Sequence, residues 1–122
     1  MSQDISLLPS ATRTASTSAS NMSTPTFTGV YFYLNITAAS GTGGLKVSLR
    51  AVDPGTGQIS TLFAATTAIT ATGLYVYALY PGSGASLGAQ SANVLLPATW
   101  QAAVLHSDGS NYTYSLDASL SQ

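Results

Sequence analysis

The chain of 122 residues is 45% hydrophobic but only 6% charged, carries a net charge of −1, and has no Cys, no Glu and one His. With Arg13, Lys46 and Arg50 as its only cations, it lacks the basic patch that nucleic-acid binding by counterion release requires, and its own side chains cannot assemble a zinc or iron–sulfur centre. Asp4, Asp53, Asp108 and Asp117 are the only carboxylates, a poor supply for acid–base catalysis, while low charge with ample apolar residues suits a packed core rather than disorder.

Residues 1–26 differ from the rest. The start, MSQDISLLPS, has neither the basic lead nor the long apolar stretch of a secretory signal, so cytoplasmic synthesis is expected. No apolar run is long enough to cross a membrane as a helix. The stretch Ala11–Thr28 is almost all small and polar, with no helical stripe. Thr favours extended backbone, and Ser and Thr hydroxyls compete for backbone partners. Residues 1–26 therefore read as an extended arm, with an edge strand near Arg13–Ala19, and Pro25 separates the arm from the strands after it. On this reading the arm is dispensable for folding.

From Phe27 the pattern has period two. Val30, Phe32, Leu34 and Ile36 fall on one face; Tyr31, Tyr33, Asn35 and Thr37 fall on the other, as in a half-buried strand. SGTGG (40–44) is a turn. Leu45, Val47, Leu49 and Ala51 alternate with Lys46, Ser48 and Arg50. Asp53-Pro54-Gly55-Thr56-Gly57 is a strong turn, followed by a strand over Gln58–Ala64 and a Thr-rich, β-leaning stretch, Ala65–Thr72. Leu74–Tyr80 is a further strand. Pro81–Ala92 is long for a hairpin connection and so a candidate interface loop. A short strand over Asn93–Leu96 stops at Pro97. Trp100, Ala102, Val104 and His106 alternate next, then a turn at 107–111. Tyr112, Tyr114, Leu116, Ala118 and Leu120 close the chain with an unbroken alternation.

The fold class is all-β: an antiparallel β-sandwich, jelly-roll-like or immunoglobulin-like, over 27–122, with the arm 1–26 before it. Apolar burial at about 25 cal/mol/Å², set against roughly 1.5 kcal/mol per ordered residue, nearly cancels in so small a domain. Association that buries further surface is the natural remedy. Ser, Thr, Ala and Tyr on the strand faces also lack the charges that block edge pairing.

No catalytic constellation stands out. Gly84-Ala85-Ser86-Leu87-Gly88 matches the nucleophile-elbow spacing, and His106 and Asp108 complete a triad on paper, but the strand–helix setting is missing. Asp53 and Asp108 sit beside Gly in turns, where Asp caps the local backbone without the series of oxygens calcium needs. The Gly-rich stretches lack the Lys-Ser/Thr of a phosphate loop. No enzyme activity, cofactor, metal or small-molecule substrate is expected. Tyr31/Tyr33 and Tyr75/Tyr77 are each spaced i, i+2, so each pair shares a strand face. Such rings suit a protein interface, a sugar-stacking platform, or a semi-buried sheet face. Tyr112 and Tyr114 share their face with Leu116 and Leu120 and read as core.

VYFYLNIT (30–37), LKVSLRAVDPGTG (45–57), ATGLYVYALYPG (71–82) and LPATWQAAVLHSDGSNYTYSLDASL (96–120) together resemble small all-β virion proteins encoded among the structural genes of tailed bacteriophages. The resemblance covers residues 11–120 and brings no catalytic residues. It implies a capsid cement or decoration protein, a homotrimer on the capsid surface of the virion that binds the major capsid protein and stabilises the head, assembled in the host cytoplasm. A tail or head-fibre module that recognises host surface glycan is the alternative. Arg13, Tyr31, Tyr33, Lys46, Arg50, Tyr75 and Tyr77 are the expected interface residues, and the arm the segment that adds to a neighbour's sheet edge.

Overall fold

Alternating apolar residues must bury one strand face, and two such faces closed on each other solve the problem. The computed structural model describes residues 2–65, 68–81, 90–92 and 96–121, and is all-β there. The strands are β1 (Ser2–Arg13), β2 (Thr17–Ser18), β3 (Met22–Ser23), β4 (Gly29–Ala39), β5 (Leu45–Val52), β6 (Ile59–Ala64), β7 (Gly73–Leu79), β8 (Gln90–Ala92), β9 (Thr99–His106) and β10 (Tyr112–Ser121). They form two sheets packed as a sandwich. The first has the order β1-β10-β4-β7-β8; the second has the order β2-β9-β5-β6, with β3 also pairing β9. Pairing is antiparallel except between β7 and β8.

The register fixes which residues point inward. Phe32 faces Ala118 on one side and Tyr77 on the other, and Val47 faces Val104 in the opposite sheet. Val30, Phe32, Leu34, Tyr112, Tyr114, Leu116 and Leu120 are buried against Leu45, Val47, Leu49, Trp100, Ala102 and Val104. Trp100 joins the layers: its ring lies 6.1 Å from that of Phe32, and its indole N–H donates to Thr24 Oγ1 at 2.7 Å.

The expected turns owe their shape to specific atoms. In 53–57 the Asp53 carboxylate accepts from the Gly55 amide and the Thr56 hydroxyl, both at 2.9 Å, and Gly57 takes φ +76°. At the SGTGG turn, Gly44 has φ +86° and lies so close to Ala68 and the Ile69 carbonyl that an added Cβ would sit 2.9 Å from each. Glycine is the residue that meets both demands.

The first 26 residues are extended, but the division of the chain at residue 26 does not coincide with a break in pairing. The edge strand expected near Arg13–Ala19 is present as β2, paired with β9, and a longer strand not expected there precedes it: β1, antiparallel to β10 from Ser2↔Ser121 to Arg13↔Tyr112. Its Leu8 is buried. Residues beyond it edge the second sheet: β2 and β3 pair with β9, and the Ala19 amide donates to the Ala102 carbonyl. Hydroxyl-rich sequence takes these places because an edge strand has one side chain face in the core at most and must satisfy its backbone somewhere. In the loop expected over Pro81–Ala92, residues 82–89 lie outside the described residues, and 90–92 form β8. Of the strand expected over Asn93–Leu96, 93–95 also lie outside them.

Candidate functional site

The outward side chains of the first sheet form one surface. From β1 come Asp4 and Ser6, from β10 Asp117 and Ser119, from β4 Tyr31 and Tyr33. The register sets Ser6, Asp117 and Tyr33 in one row and Asp4, Ser119 and Tyr31 in the next. Tyr31 also stacks on Tyr80, just beyond β7, with ring centroids 5.9 Å apart and planes 9° from parallel. Burial and the neighbouring Tyr80 hydroxyl hold the Tyr31 phenol above the ordinary tyrosine range. Beside these rings lies an open cavity of about 500 Å³, lined by Asp4, Ile5, Ser6, Tyr33, Asp117 and Ala118. Ile5 and Ala118 are cross-strand partners, and Ala118 belongs to the core. The cavity floor is thus the paired backbone of β1 and β10, and its walls are the outward side chains.

The other expected interface residues are dispersed. Tyr75 and Tyr77 oppose Leu34 and Phe32 across β4, so they point into the sandwich. Tyr77 is fully buried, meets Phe63 edge-on at 6.4 Å, and burial pushes its phenol up to about 12. Its hydroxyl has no hydrogen-bond partner among the described residues. Tyr77 therefore corrects the expectation that both tyrosine pairs face a partner. LYVYALY is apolar at odd and even positions alike, so its alternation does not say which face is inside; the pairing with β4 does. Lys46 and Arg50 lie on the outer face of the second sheet, where Arg50 donates to Gln101 Oε1 at 3.2 Å. Arg13 is spent internally. It donates to the Tyr114 carbonyl at 2.8 Å and the Pro9 carbonyl at 2.6 Å, and its guanidinium lies 4.7 Å from the Tyr114 ring centre.

Of the paper triad, His106 and Asp108 are among the described residues. Gly84–Gly88, with Ser86, lies outside the described residues. Asp108 accepts from the Gly43 amide at 2.7 Å, from the Ser110 amide and from the Tyr112 hydroxyl. The Gly43 amide foremost holds its carboxyl below the ordinary range. His106 Nε2 is 2.8 Å from the Tyr114 hydroxyl, and its ring meets Tyr112 edge-on at 5.5 Å. Among the described residues no hydrogen bond joins His106 to Asp108. Each thus binds a strand end or turn of its own: Asp108 the turns at 43 and 110, and His106 the Tyr114 hydroxyl.

His106 Nδ1 is buried with no partner among the described residues. Desolvation, with a smaller contribution from Arg13, lowers its proton affinity against the opposing pull of Asp108. The folded state thus holds this imidazole neutral where the unfolded chain would protonate it. Stability from this group is complete above the ordinary imidazole range and falls as pH drops through it. His106 is the only histidine. Urea midpoints measured from pH 7.5 to 5 are expected to decline with acid in the parent and to lose that slope in His106→Gln.

No family model, curated protein or solved structure matches this chain.

Proposed function

We propose that the protein is a structural component of a phage particle, a decoration protein that binds the major capsid protein and stabilises the head through contact area. One observation carries the reading: the outer face of the first sheet is rich in Tyr, Ser and Thr around two carboxylates, Asp4 and Asp117, while Arg13, Asp53 and Asp108 are consumed by the protein's own backbone and turns. A face of that composition suits contact with other protein, because tyrosine tolerates both burial and water and a scarcity of Lys and Glu lowers the desolvation cost. The resemblance to small virion proteins agrees with it. The test is the copy number in purified particles. A ratio to the capsid subunit near one, two thirds or one third is the expected result; a handful of copies per particle contradicts the decoration role and moves the protein to a tail or fibre.

The stacked Tyr31–Tyr80 pair beside a carboxylate-lined cavity favours a second reading, a fibre module that binds cell-surface glycan. It requires Tyr31→Ala and Tyr33→Ala to weaken attachment to cells while leaving the heat resistance of the particle unchanged. The decoration reading requires the reverse.

A further inference from the structure

Two open sheets have four edges. An edge strand turns backbone N–H and C=O groups away from its one partner, ready to pair with another chain unless something blocks them. Among the described residues three of the four edges are blocked. Those at β8 and at β2 and β3 are only two or three residues long. The edge at β1 is long, but it carries Asp4, Pro9 and Arg13, and its pairing with β10 shifts register twice. The fourth edge is β6, which among the described residues pairs with β5 alone. It has neither a charge nor a proline, and no Asp, Glu, Lys or Arg occurs anywhere from 54 to 105. Five of its six residues are exposed. Of the three large hydrophobic side chains exposed among the described residues, two are on this strand, Ile59 at 48% and Leu62 at 42%. Its one irregularity is a bulge: Leu49 opposes Phe63 and Arg50 opposes Thr61, so Leu62 is skipped. A charge at such a place would keep other strands away; here the residue is leucine.

We infer that β6 is a self-association edge: it pairs antiparallel with β6 of a second copy across a two-fold axis, joining the two second sheets into one continuous sheet. The backbone groups along the edge select a β-strand as the occupant. Three features select this chain's own strand. A two-fold axis sets β6 antiparallel to itself, so each copy offers the groups that the other lacks. The strand is neutral, so two identical copies meet without the penalty of like charges opposed across a ladder. Ile59 and Leu62 of one copy come beside those of the other, and each copy covers apolar surface that the other exposes. A charged strand from a different protein finds no counter-charge on β6. The contact belongs to the second sheet, apart from the face proposed to meet the capsid, and it stands or falls independently of that reading. A two-fold contact joins copies in pairs; the three-fold association that the resemblance implies requires a different surface.

Sedimentation velocity at rising protein concentration tests the pairing without the particle. The parent is expected to pass from the mass of one chain, 12.4 kDa, to twice that mass. Ile59→Lys and Leu62→Lys place a charge on the edge at exposed positions. Each is expected to keep the circular dichroism of the parent and to remain at the mass of one chain where the parent is paired. The chain has no Cys, so single-cysteine variants report the contact directly and do not depend on the lysine variants. Ile59→Cys, Ser60→Cys, Thr61→Cys and Leu62→Cys are placed in a glutathione redox buffer and read on non-reducing gels. Disulfide-linked dimers are expected, forming fastest at the position nearest the axis. A parent that stays a single chain at every concentration overturns the inference and leaves the edge to a strand of another protein. Association that survives both lysine substitutions overturns it as well, and so do four cysteine variants that all stay unlinked.

Discussion

Trp100→Ala is expected to cost about 3–5 kcal/mol, the range for deleting a large aromatic from a close-packed core. Small domains have total stabilities of about 5–15 kcal/mol, so the variant is expected to sit at or near its unfolding midpoint in mild denaturant. The residue is fully buried and occupies a place no neighbour can fill. Its ring reaches from β9 to Phe32 in the opposite sheet, while its N–H is held by Thr24. Removing it leaves a cavity between two layers that are each stiffened by their own ladders, so collapse around the void is limited. Thr24→Val separates the two parts of the role. It keeps the shape of the site and strands the indole N–H, for an expected loss of about 1–3 kcal/mol. The measurement is urea unfolding followed by far-ultraviolet circular dichroism, because Trp100 is the only tryptophan and its fluorescence vanishes with the mutation. A loss below about 1 kcal/mol for Trp100→Ala would mean that the indole does not bridge the sheets.

The sandwich itself was legible in the alternation. Val30–Thr37 and Tyr112–Leu120 carry apolar residues at every second position, and they became β4 and β10, neighbours in one sheet. Leu45–Ala51 and Trp100–His106 did the same in the other. The role of the first residues was not legible, for a definite reason. The pairing of β1 with β10 shifts register between Ser6 and Leu8 and again between Leu8 and Ala11, so Ile5, Leu7 and Leu8 do not fall on one parity. A bulged strand hides its inward face from any period-two reading. Thr24 is a second case: a threonine in a Ser/Thr run looks like any other until Trp100 comes to it through the pairing of β3 with β9. The acidic cavity arises from the same long-range pairing. Asp4 and Asp117 are far apart in the chain and nothing local joins them; Tyr33, by contrast, was marked as outward by its spacing from Tyr31.

Deletion of residues 2–13 is expected to abolish the soluble, cooperatively folding protein rather than trim a dispensable arm. β10 lies between β1 and β4, so losing β1 uncovers one whole edge of the longest regular alternation in the chain. The bared N–H and C=O groups would stand beside Tyr114, Leu116 and Leu120, which are fully buried in the intact protein, with Asp117 the only charged side chain on β10. A long edge with a single charge templates pairing with other chains. Burial of Leu8 is lost as well, worth about 1.5–3 kcal/mol for a side chain of this type, along with the contacts of Ile5 and Leu7 with the core and the clamp of Arg13 on Tyr114. Size-exclusion chromatography with light scattering reads the result directly: the truncated chain is expected as aggregate or as higher oligomers, with no cooperative thermal transition. Supplying a synthetic peptide of residues 2–13 in trans is expected to restore part of the folded signal by refilling the edge. A truncated protein that stays monomeric and melts cooperatively near the parent temperature would show that β1 is an appendage after all.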